Sequence, residues 1–124
     1  MAKILVIDDE PNVRALLDMR LRHQGYDVLF ADSGVRGLEL YRQEHPDVIL
    51  LDLGLGDAGS LKAVRGIRSA YPATRIIVMG LIPLESEVLG LVKEGVSGFV
   101  VKDASIRDFV AAIRAVAAGH KVFP

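Results

Sequence analysis

Charged side chains follow several short apolar segments of this 124-residue chain, at spacings that could bring them together. They are Asp8 and Asp9 after the first segment, Asp52 after a later one and Lys102 after the last. Carboxylates about 4 Å apart repel each other by roughly 1 kcal/mol in water and by more where water is partly excluded. A hard divalent cation removes that cost, and Mg²⁺ suits a few carboxylates in a shallow pocket because it keeps several waters.

A lysine beside such carboxylates adds what a phosphoryl-transfer site needs. The Lys102 ammonium is a compact positive charge suited to a phosphate oxygen. Asp52 can act as the nucleophile, because a carboxylate can carry a phosphoryl group as an aspartyl-phosphate. The residues therefore predict phosphoryl chemistry with Mg²⁺ as the cofactor, if the fold brings the segments together.

Five short segments have the composition of β-strands. Four are apolar, rich in β-branched residues and without alternation, as expected of strands buried on both faces of a parallel sheet: 4–7, 48–51, 76–79 and 99–101. The fifth, 26–30, is more mixed and suits an edge strand.

Amphipathic segments separate these strands and predict five helices. Ser33 and Ser105 are expected N-caps, and Gly25 and Gly119 are expected to end helices. The five faces predicted to be buried are Val13, Leu16, Leu17 and Leu21; Val35, Leu38 and Tyr41; Leu61, Val64 and Ile67; Val88, Leu91 and Val92; and Ile106, Phe109, Val110, Ile113 and Val116.

The alternation of strands and helices predicts a three-layer α/β/α sandwich. Right-handed crossovers favour a doubly wound, five-stranded parallel sheet of order 2-1-3-4-5, the flavodoxin-like arrangement. Ligands of such sheets bind beyond the carboxyl ends of the strands, and neighbouring strands lie about 4.8 Å apart. Asp8, Asp9, Asp52 and Lys102 should therefore converge at one edge.

Composition limits the remaining options. A hydrophobic fraction of 51% with 25% charged residues is typical of a compact protein, and the absence of cysteine excludes disulfides and thiolate metal sites. A net charge of −1 gives no general attraction to DNA or to an anionic membrane. The first apolar stretch is too short for a signal peptide or a membrane span, so a cytoplasmic location without a membrane partner is expected.

Three motifs carry a resemblance to a known family. Asp8-Asp9, "VILLDLGL" around Asp52 and "GFVVKD" around Lys102 occur in order, and together they resemble response-regulator receiver domains (CheY-like) over nearly the whole chain. The segment "KDASIRDFVAAIRAVAAGHKVFP" is similar to receivers of NarL/LuxR-type transcription factors, in which a helix-turn-helix effector follows. No DNA-reading element is recognisable in this chain, so DNA would be reached only through such an effector.

The resemblance implies roles by position. Asp52 would be phosphorylated by a partner histidine kinase or phosphotransfer protein, and Lys102 would bind the phosphoryl group. Asp9 and Asp52 would hold Mg²⁺ directly together with the Gly54 carbonyl, and Asp8 would act through water. The phosphorylated domain would control an effector, in transcription regulation, or dimerisation.

The end of the fourth predicted strand departs from the receiver pattern. Receivers carry Thr or Ser there and then a small residue, whereas this chain has Gly80 and Leu81, and its one threonine, Thr74, lies about 20 Å away. The switch hydroxyl is therefore absent, and Leu81 could restrict access to the site. Phe99 stands at the aromatic switch position, where it is either a switch or core filler. The apolar loop 81–84 either extends the core or forms a lid or docking surface.

Four functions follow as hypotheses. The first is a phosphorylation-operated receiver, a switch whose enzymology is at most self-phosphorylation and self-dephosphorylation. The second is an atypical receiver that acts as a phosphorylation-independent interaction module. A flavin- or nucleotide-binding protein would need a phosphate cradle where Asp8-Asp9-Glu10 stands, and a phosphatase would need an Asp-x-Asp motif there.

The chain is predicted to hold one domain and part of a connection. Residues 1–118 are expected to form the receiver, and 119–124 to begin a linker to an effector domain. Gly56 and Gly59-Ser60 predict a more mobile loop after Asp52. The oligomeric state stays open, with a homodimer as one option.

Overall fold

The computed structural model describes residues 2–55, 59–82 and 85–124. Five strands and five helices alternate along the chain. The strands are β1 (Lys3–Ile7), β2 (Asp27–Ala31), β3 (Val48–Asp52), β4 (Ile76–Gly80) and β5 (Gly98–Val101). The helices are α1 (Pro11–His23), α2 (Gly34–Glu44), α3 (Gly59–Ala70), α4 (Glu85–Lys93) and α5 (Ile106–Ala117).

The strands form one parallel sheet of order β2-β1-β3-β4-β5, which confirms the predicted topology. The mixed strand β2 lies at an edge, as its composition predicts. Strands β3 and β4 are buried along their whole length, because both of their faces are covered by helices.

Successive side chains of the central strands point to opposite faces and form two cores. Ile4 and Val6 of β1 pack in a cluster with α1 and α5, whereas Leu5 and Ile7 pack in a cluster with α3, α4 and part of α2. The two cores confirm the three-layer sandwich.

The predicted helix ends are present. The Ser33 and Ser105 hydroxyl oxygens accept hydrogen bonds from the backbone N–H groups of Arg36 and Asp108, at 3.2 Å each. Gly25 and Gly119 follow α1 and α5 with φ of 93° and 96°, a conformation in which glycine lacks the strain of other residues.

The prediction for the buried face of α2 is wrong at Val35, whose side chain is 76% exposed. The helix approaches the sheet through Gly37 instead, where an added Cβ would lie 2.4 Å from Ile7 Cδ1. Val35 and Gly37 are two positions apart, which corresponds to a rotation of about 200° around the helix axis. The Val35 side chain therefore faces away from the sheet.

Two further residues lie at the margins of predicted faces rather than inside them. The prediction of burial is wrong for Leu16 of α1 and Val92 of α4, whose side chains are 44% and 45% exposed. In each case the neighbouring leucine, Leu17 or Leu91, is the buried one, because the contact stripe is narrower than the run of apolar residues.

The segment after α5 returns to the sheet and pairs with the edge strand β5. The Val122 N–H donates to the Ser97 carbonyl and the Phe99 N–H donates to the Val122 carbonyl, both at 2.9 Å. Val122 and Phe123 pack on opposite cores of the sandwich. Within the described ranges, no helix combines the length and the hydropathy that a membrane crossing requires.

Candidate functional site

The carboxyl ends of β1, β3 and β5 meet at one edge of the sheet and bring the charged residues together. Asp8 and Asp9 follow β1 directly, Asp52 is the last residue of β3, and Lys102 follows β5. Carboxylate oxygens of Asp8, Asp9 and Asp52 all lie within 4.8 Å of one another. Asp8 and Asp52 are buried, and Asp9 is exposed.

Lys102 lies between the two buried carboxylates. Its Nζ is 3.2 Å from Asp8 Oδ2 and 3.1 Å from Asp52 Oδ1. One ammonium therefore faces two buried negative charges, and with Asp9 added the cluster keeps an excess of acid.

Backbone groups fix the orientation of both carboxylates. The Glu10 N–H donates to Asp8 Oδ1 at 2.8 Å, and the Gly54 N–H donates to Asp52 Oδ1 at 3.1 Å. Each bond joins residues two apart, so it belongs to the turn that follows the strand. The turns thus hold the carboxylates in place, as a preorganised site requires.

Two side chains from the helices α1 and α3 support the same turns. Arg14 Nη1 donates to the Asp8 carbonyl at 2.7 Å, and the buried Ser60 hydroxyl donates to the Asp52 carbonyl at 2.7 Å. Sequence reasoning missed both roles, because a contact from a helix to a strand-end carbonyl leaves no local pattern. The sequence predicts Ser60 in a mobile loop, whereas its buried hydroxyl is hydrogen-bonded to the Asp52 carbonyl.

The electrostatics of the cluster shift two pKa values. Burial raises the pKa of the Asp8 carboxyl, helped by the nearby Asp52 charge, and outweighs the Glu10 N–H and Lys102, which act in the opposite direction. Burial works to lower the pKa of Lys102, but contact with the Asp52 and Asp8 carboxylates outweighs it and leaves that pKa raised. The ammonium is therefore held in its charged form.

The residues present fit a small divalent cation. Asp8 Oδ2 is buried and accepts no hydrogen bond from the described residues, since its contact with Lys102 meets the distance of an ion pair but not hydrogen-bond geometry. An all-oxygen ligand set from three carboxylates, one of them exposed, is what Mg²⁺ binds while it keeps several waters.

A cleft of about 380 Å³ opens above Asp52. The described residues that line it are Glu10, Asp52, Leu53, Gly54, Gly80, Leu81, Ile82, Glu87 and Lys102. The Asp52 side chain is nearly buried, so the cleft is its route to solvent. Glu87 was not predicted as part of the site, because it reaches the cleft from α4, a helix whose position only the fold defines.

The absence of a side chain at Gly80, where receivers carry Thr or Ser, is matched by close packing around that residue. An added Cβ on Gly80 would lie 2.8 Å from Phe99 Cζ and 3.3 Å from Leu53 Cδ2. The buried Phe99 ring therefore fills the space next to Gly80 that a side chain would need. Thr74, buried before β4, does not line the cleft and supplies no hydroxyl to it.

The loop after β4 presents apolar side chains to solvent. Leu81 is 75% exposed and Ile82 is 67% exposed, so the hypothesis that they extend the core is wrong. Both line the cleft. Pro83 and Leu84 of this loop lie outside the described residues, as does Gly56 of the loop after Asp52 that was predicted to be mobile.

Comparison with known proteins gives consistent matches. The sequence model of the response regulator receiver domain matches residues 4–114. The transcriptional regulatory protein KdpE of Mycobacterium tuberculosis is 33% identical over 115 residues, which cover 93% of this chain and 50% of KdpE. The chain thus spans about half the length of the curated relatives it matches.

Solved structures agree with the sequence matches. A two-component response regulator of the LuxR family from Aurantimonas sp. SI85-9A1 superposes with a TM-score of 0.91 at 31% identity, over 98% of this chain and 89% of that one. The signal receiver domain of NarL from Mycobacterium tuberculosis superposes with a TM-score of 0.88 at 28% identity, over 96% and 98% of the two chains.

Proposed function

We propose, since this chain belongs to the response regulator receiver domain family, that a histidine kinase or phosphotransfer protein phosphorylates Asp52 in the presence of Mg²⁺ in the cytoplasm. Phosphorylation would control an effector domain, DNA-binding and active in transcription regulation, or dimerisation. Receiver domains are signalling modules rather than classical enzymes, and the curated relative of this chain named above is a transcriptional regulatory protein. The observation that carries the proposal is the Lys102 ammonium held 3.2 and 3.1 Å from the Asp8 and Asp52 carboxylates.

The two carboxylate oxygens of Asp52 differ in their contacts and are therefore expected to differ in their roles. Oδ1 faces both the Gly54 N–H and Lys102 Nζ, whereas Oδ2 takes no hydrogen bond or ion pair from the described residues. Oδ2 is therefore the oxygen we expect to attack phosphorus. The Asp52 backbone stays in place during the transfer because the Ser60 hydroxyl holds its carbonyl.

Lys102 is suited to follow the negative charge through the reaction. Before transfer its ammonium balances two carboxylates. After transfer the phosphoryl oxygens add negative charge at Asp52, and a flexible lysine can shift from Asp8 to one of them while it keeps its proton, because its pKa is raised.

We assign the metal to Asp9, Asp52 and the Gly54 carbonyl as direct ligands, with Asp8 acting through water. When bound, Mg²⁺ neutralises charge on the phosphoryl oxygens and orients the donor. Asp8 is the least exposed of the three acids, and the Lys102 ammonium is the one described partner of its Oδ2, so its carboxylate can also accept hydrogen bonds from metal-bound waters.

The direct test is phosphoryl uptake followed by intact mass. We expect wild-type protein with Mg²⁺ and phosphoramidate to gain one phosphoryl group, and the Asp52→Asn variant, which removes the nucleophile, to gain none. Leu81→Ala enlarges the entrance and separates a blocked site from an inert one. A chain that gains no phosphoryl group in the wild type or in Leu81→Ala, from phosphoramidate or from a phosphorylated histidine kinase, would refute the proposal.

A second function is favoured by the end of β4. Gly80 offers no hydroxyl to a phosphoryl group, the Phe99 ring occupies the adjoining space, and Leu81 and Ile82 are exposed apolar side chains beside the cleft. These features suit an atypical receiver that binds a partner through its surface whether or not Asp52 is phosphorylated.

Amide chemical shifts separate the two functions. If phosphorylation operates a switch, labelling of Asp52 moves the amide signals of β4, α4 and β5 well beyond the cleft. If the chain is an atypical receiver, labelling moves only the signals of residues next to Asp52, and the mass change occurs without a structural response.

A further inference from the structure

Two acidic side chains stand at the entrance of the cleft without taking part in the Asp8–Asp52–Lys102 cluster. Glu10 precedes α1 as its N-cap residue, and Glu87 lies in the first turn of α4. Both are exposed, and both line the cleft that leads to Asp52. They come from the start of α1 and from α4, so a donor that enters the cleft meets two exposed carboxylates in its lining.

The charge of the cleft is therefore negative from its entrance to its floor. Among the lining residues that the structure describes, Lys102 is the one basic side chain, and it already faces Asp8 and Asp52. A metal ion held by Asp9, Asp52 and the Gly54 carbonyl would offset the acids of the cluster, whereas Glu10 and Glu87 are not among its assigned ligands. The entrance thus repels an anion before the anion can reach the metal or Lys102.

The rest of the entrance is apolar. Leu81 and Ile82 are its exposed apolar side chains and offer contact area but no positive charge. A small anionic donor gains nothing from this surface, whereas a donor that carries its phosphoryl group on a neutral ring gains apolar contact there.

We propose that Glu10 and Glu87 are specificity residues that select phosphodonors of low negative charge over small dianionic acyl phosphates. The inference rests on the proposed phosphorylation of Asp52 and adds which donors the site accepts. It requires no contact between either glutamate and the reacting atoms, because both act through their charge.

The same bonds form and break in the transfer from acetyl phosphate and in the transfer from phosphoramidate. A bond forms between an Asp52 carboxylate oxygen and phosphorus while the bond from phosphorus to the leaving group breaks, and the leaving group takes the bonding electron pair. Acetyl phosphate releases acetate. Phosphoramidate releases ammonia, because its nitrogen already carries the proton that it needs. At neutral pH acetyl phosphate is a dianion and phosphoramidate a monoanion, so the entrance charge affects the first donor more.

The test compares the second-order rate constants of labelling by acetyl phosphate and by phosphoramidate, both at saturating Mg²⁺, in wild type, Glu10→Gln, Glu87→Gln and the double variant. Glu85→Gln is the matched control, because Glu85 is an exposed acid of the same helix turn that does not line the cleft. The ratio of the two rate constants cancels changes in metal binding. A parallel Mg²⁺ titration followed by amide chemical shifts measures those changes directly.

We expect each single variant to raise the acetyl phosphate to phosphoramidate ratio about twofold, and the double variant about fourfold, as removal of one exposed charge at a distance of several ångströms predicts. Added salt should raise the wild-type ratio towards that of the double variant, because it screens exposed charges. An unchanged ratio in the double variant, or an equal rise in Glu85→Gln, overturns the inference. Failure of both the wild type and Leu81→Ala to take a phosphoryl group from either donor or from a phosphorylated kinase overturns the proposed function instead.

Discussion

At the scale of single residues, the site is a balance between two buried carboxylates and one ammonium. Burial makes the charge of the Asp8 carboxylate unfavourable and raises the pKa of that carboxyl. A folded-state pKa above the ordinary value of 3.8 means that the folded chain retains a proton that the unfolded chain has already lost. The free energy of unfolding should therefore fall as the pH rises from that ordinary value through the raised pKa.

Asp8→Asn removes this unfavourable charge and keeps an oxygen that can accept from the Glu10 N–H. We expect the variant, without metal, to be more stable than wild type at neutral pH by about 1 kcal/mol, the scale of like-charge repulsion at short range. The difference should vanish in acid, where both chains are neutral at this position. Urea unfolding across pH with a chelator present measures it. Asp27→Asn, an exposed acid of β2, is the control, and equal stabilities at neutral pH would contradict the prediction.

At the scale of secondary-structure elements, β4 and β5 are coupled through the contact of Gly80 with the Phe99 ring. Gly80→Ala places a Cβ 2.8 Å from Phe99 Cζ, so the ring must move. We expect a loss of about 1–3 kcal/mol in the free energy of unfolding, as for other overpacked cores. In a Phe99→Leu background the same change should cost at least about 0.5 kcal/mol less, because the ring is gone.

Gly90→Ala is the matched control for this pair. Gly90 lies in α4 with open space around it, so alanine there should stabilise the helix by about 0.5–1 kcal/mol. Equal costs of Gly80→Ala in the two backgrounds would show that the ring does not limit that position. The contact also bears on any attempt to restore a switch hydroxyl, because threonine at position 80 has to displace Phe99 first.

The element scale also shows what the sequence could predict. The alternation of apolar strands and amphipathic helices predicts a doubly wound parallel sheet and favours the order found, and the strand ends of such a sheet bring Asp8, Asp52 and Lys102 to one edge. The buried face of α2 did not follow, because a glycine carries no hydropathy signal, although the close approach to the sheet occurs at Gly37. Glu87 was missed because its role depends on how α4 packs over the end of the sheet.

At the scale of the whole molecule, the segment after α5 pairs with the start of the edge strand β5. The sequence predicts the start of a linker at 119–124, and the structure shows part of that segment paired with β5 through Val122. Two backbone hydrogen bonds of about 0.5–1.5 kcal/mol each hold it, together with the packing of Val122 and Phe123. Such a segment should open locally far more often than the sheet unfolds.

Gly98 allows this close approach, because an added Cβ would lie 2.8 Å from the Val122 carbonyl oxygen. Gly98→Ala should therefore displace the segment while the rest of the strand pairing with β4 remains. We expect faster hydrogen exchange at the Val122 amide, which donates to Ser97, and at the Phe99 amide, which donates to Val122. The Lys102 amide, which donates to the Gly80 carbonyl, should exchange as in wild type.

The control for Gly98→Ala is Gly66→Ala in α3, where an added Cβ meets open space. Unchanged exchange at Val122 in Gly98→Ala would show that the segment tolerates the side chain, and faster exchange throughout β5 would show that the strand itself is disturbed. Faster exchange confined to the Val122 and Phe99 amides would establish that β5 holds the chain beyond α5 in place. Phe99 lies three residues before Lys102, and β5 is the neighbour of β4, which ends at Gly80. Any effector that follows would then begin from a point fixed on the same strand that delivers the lysine to the site.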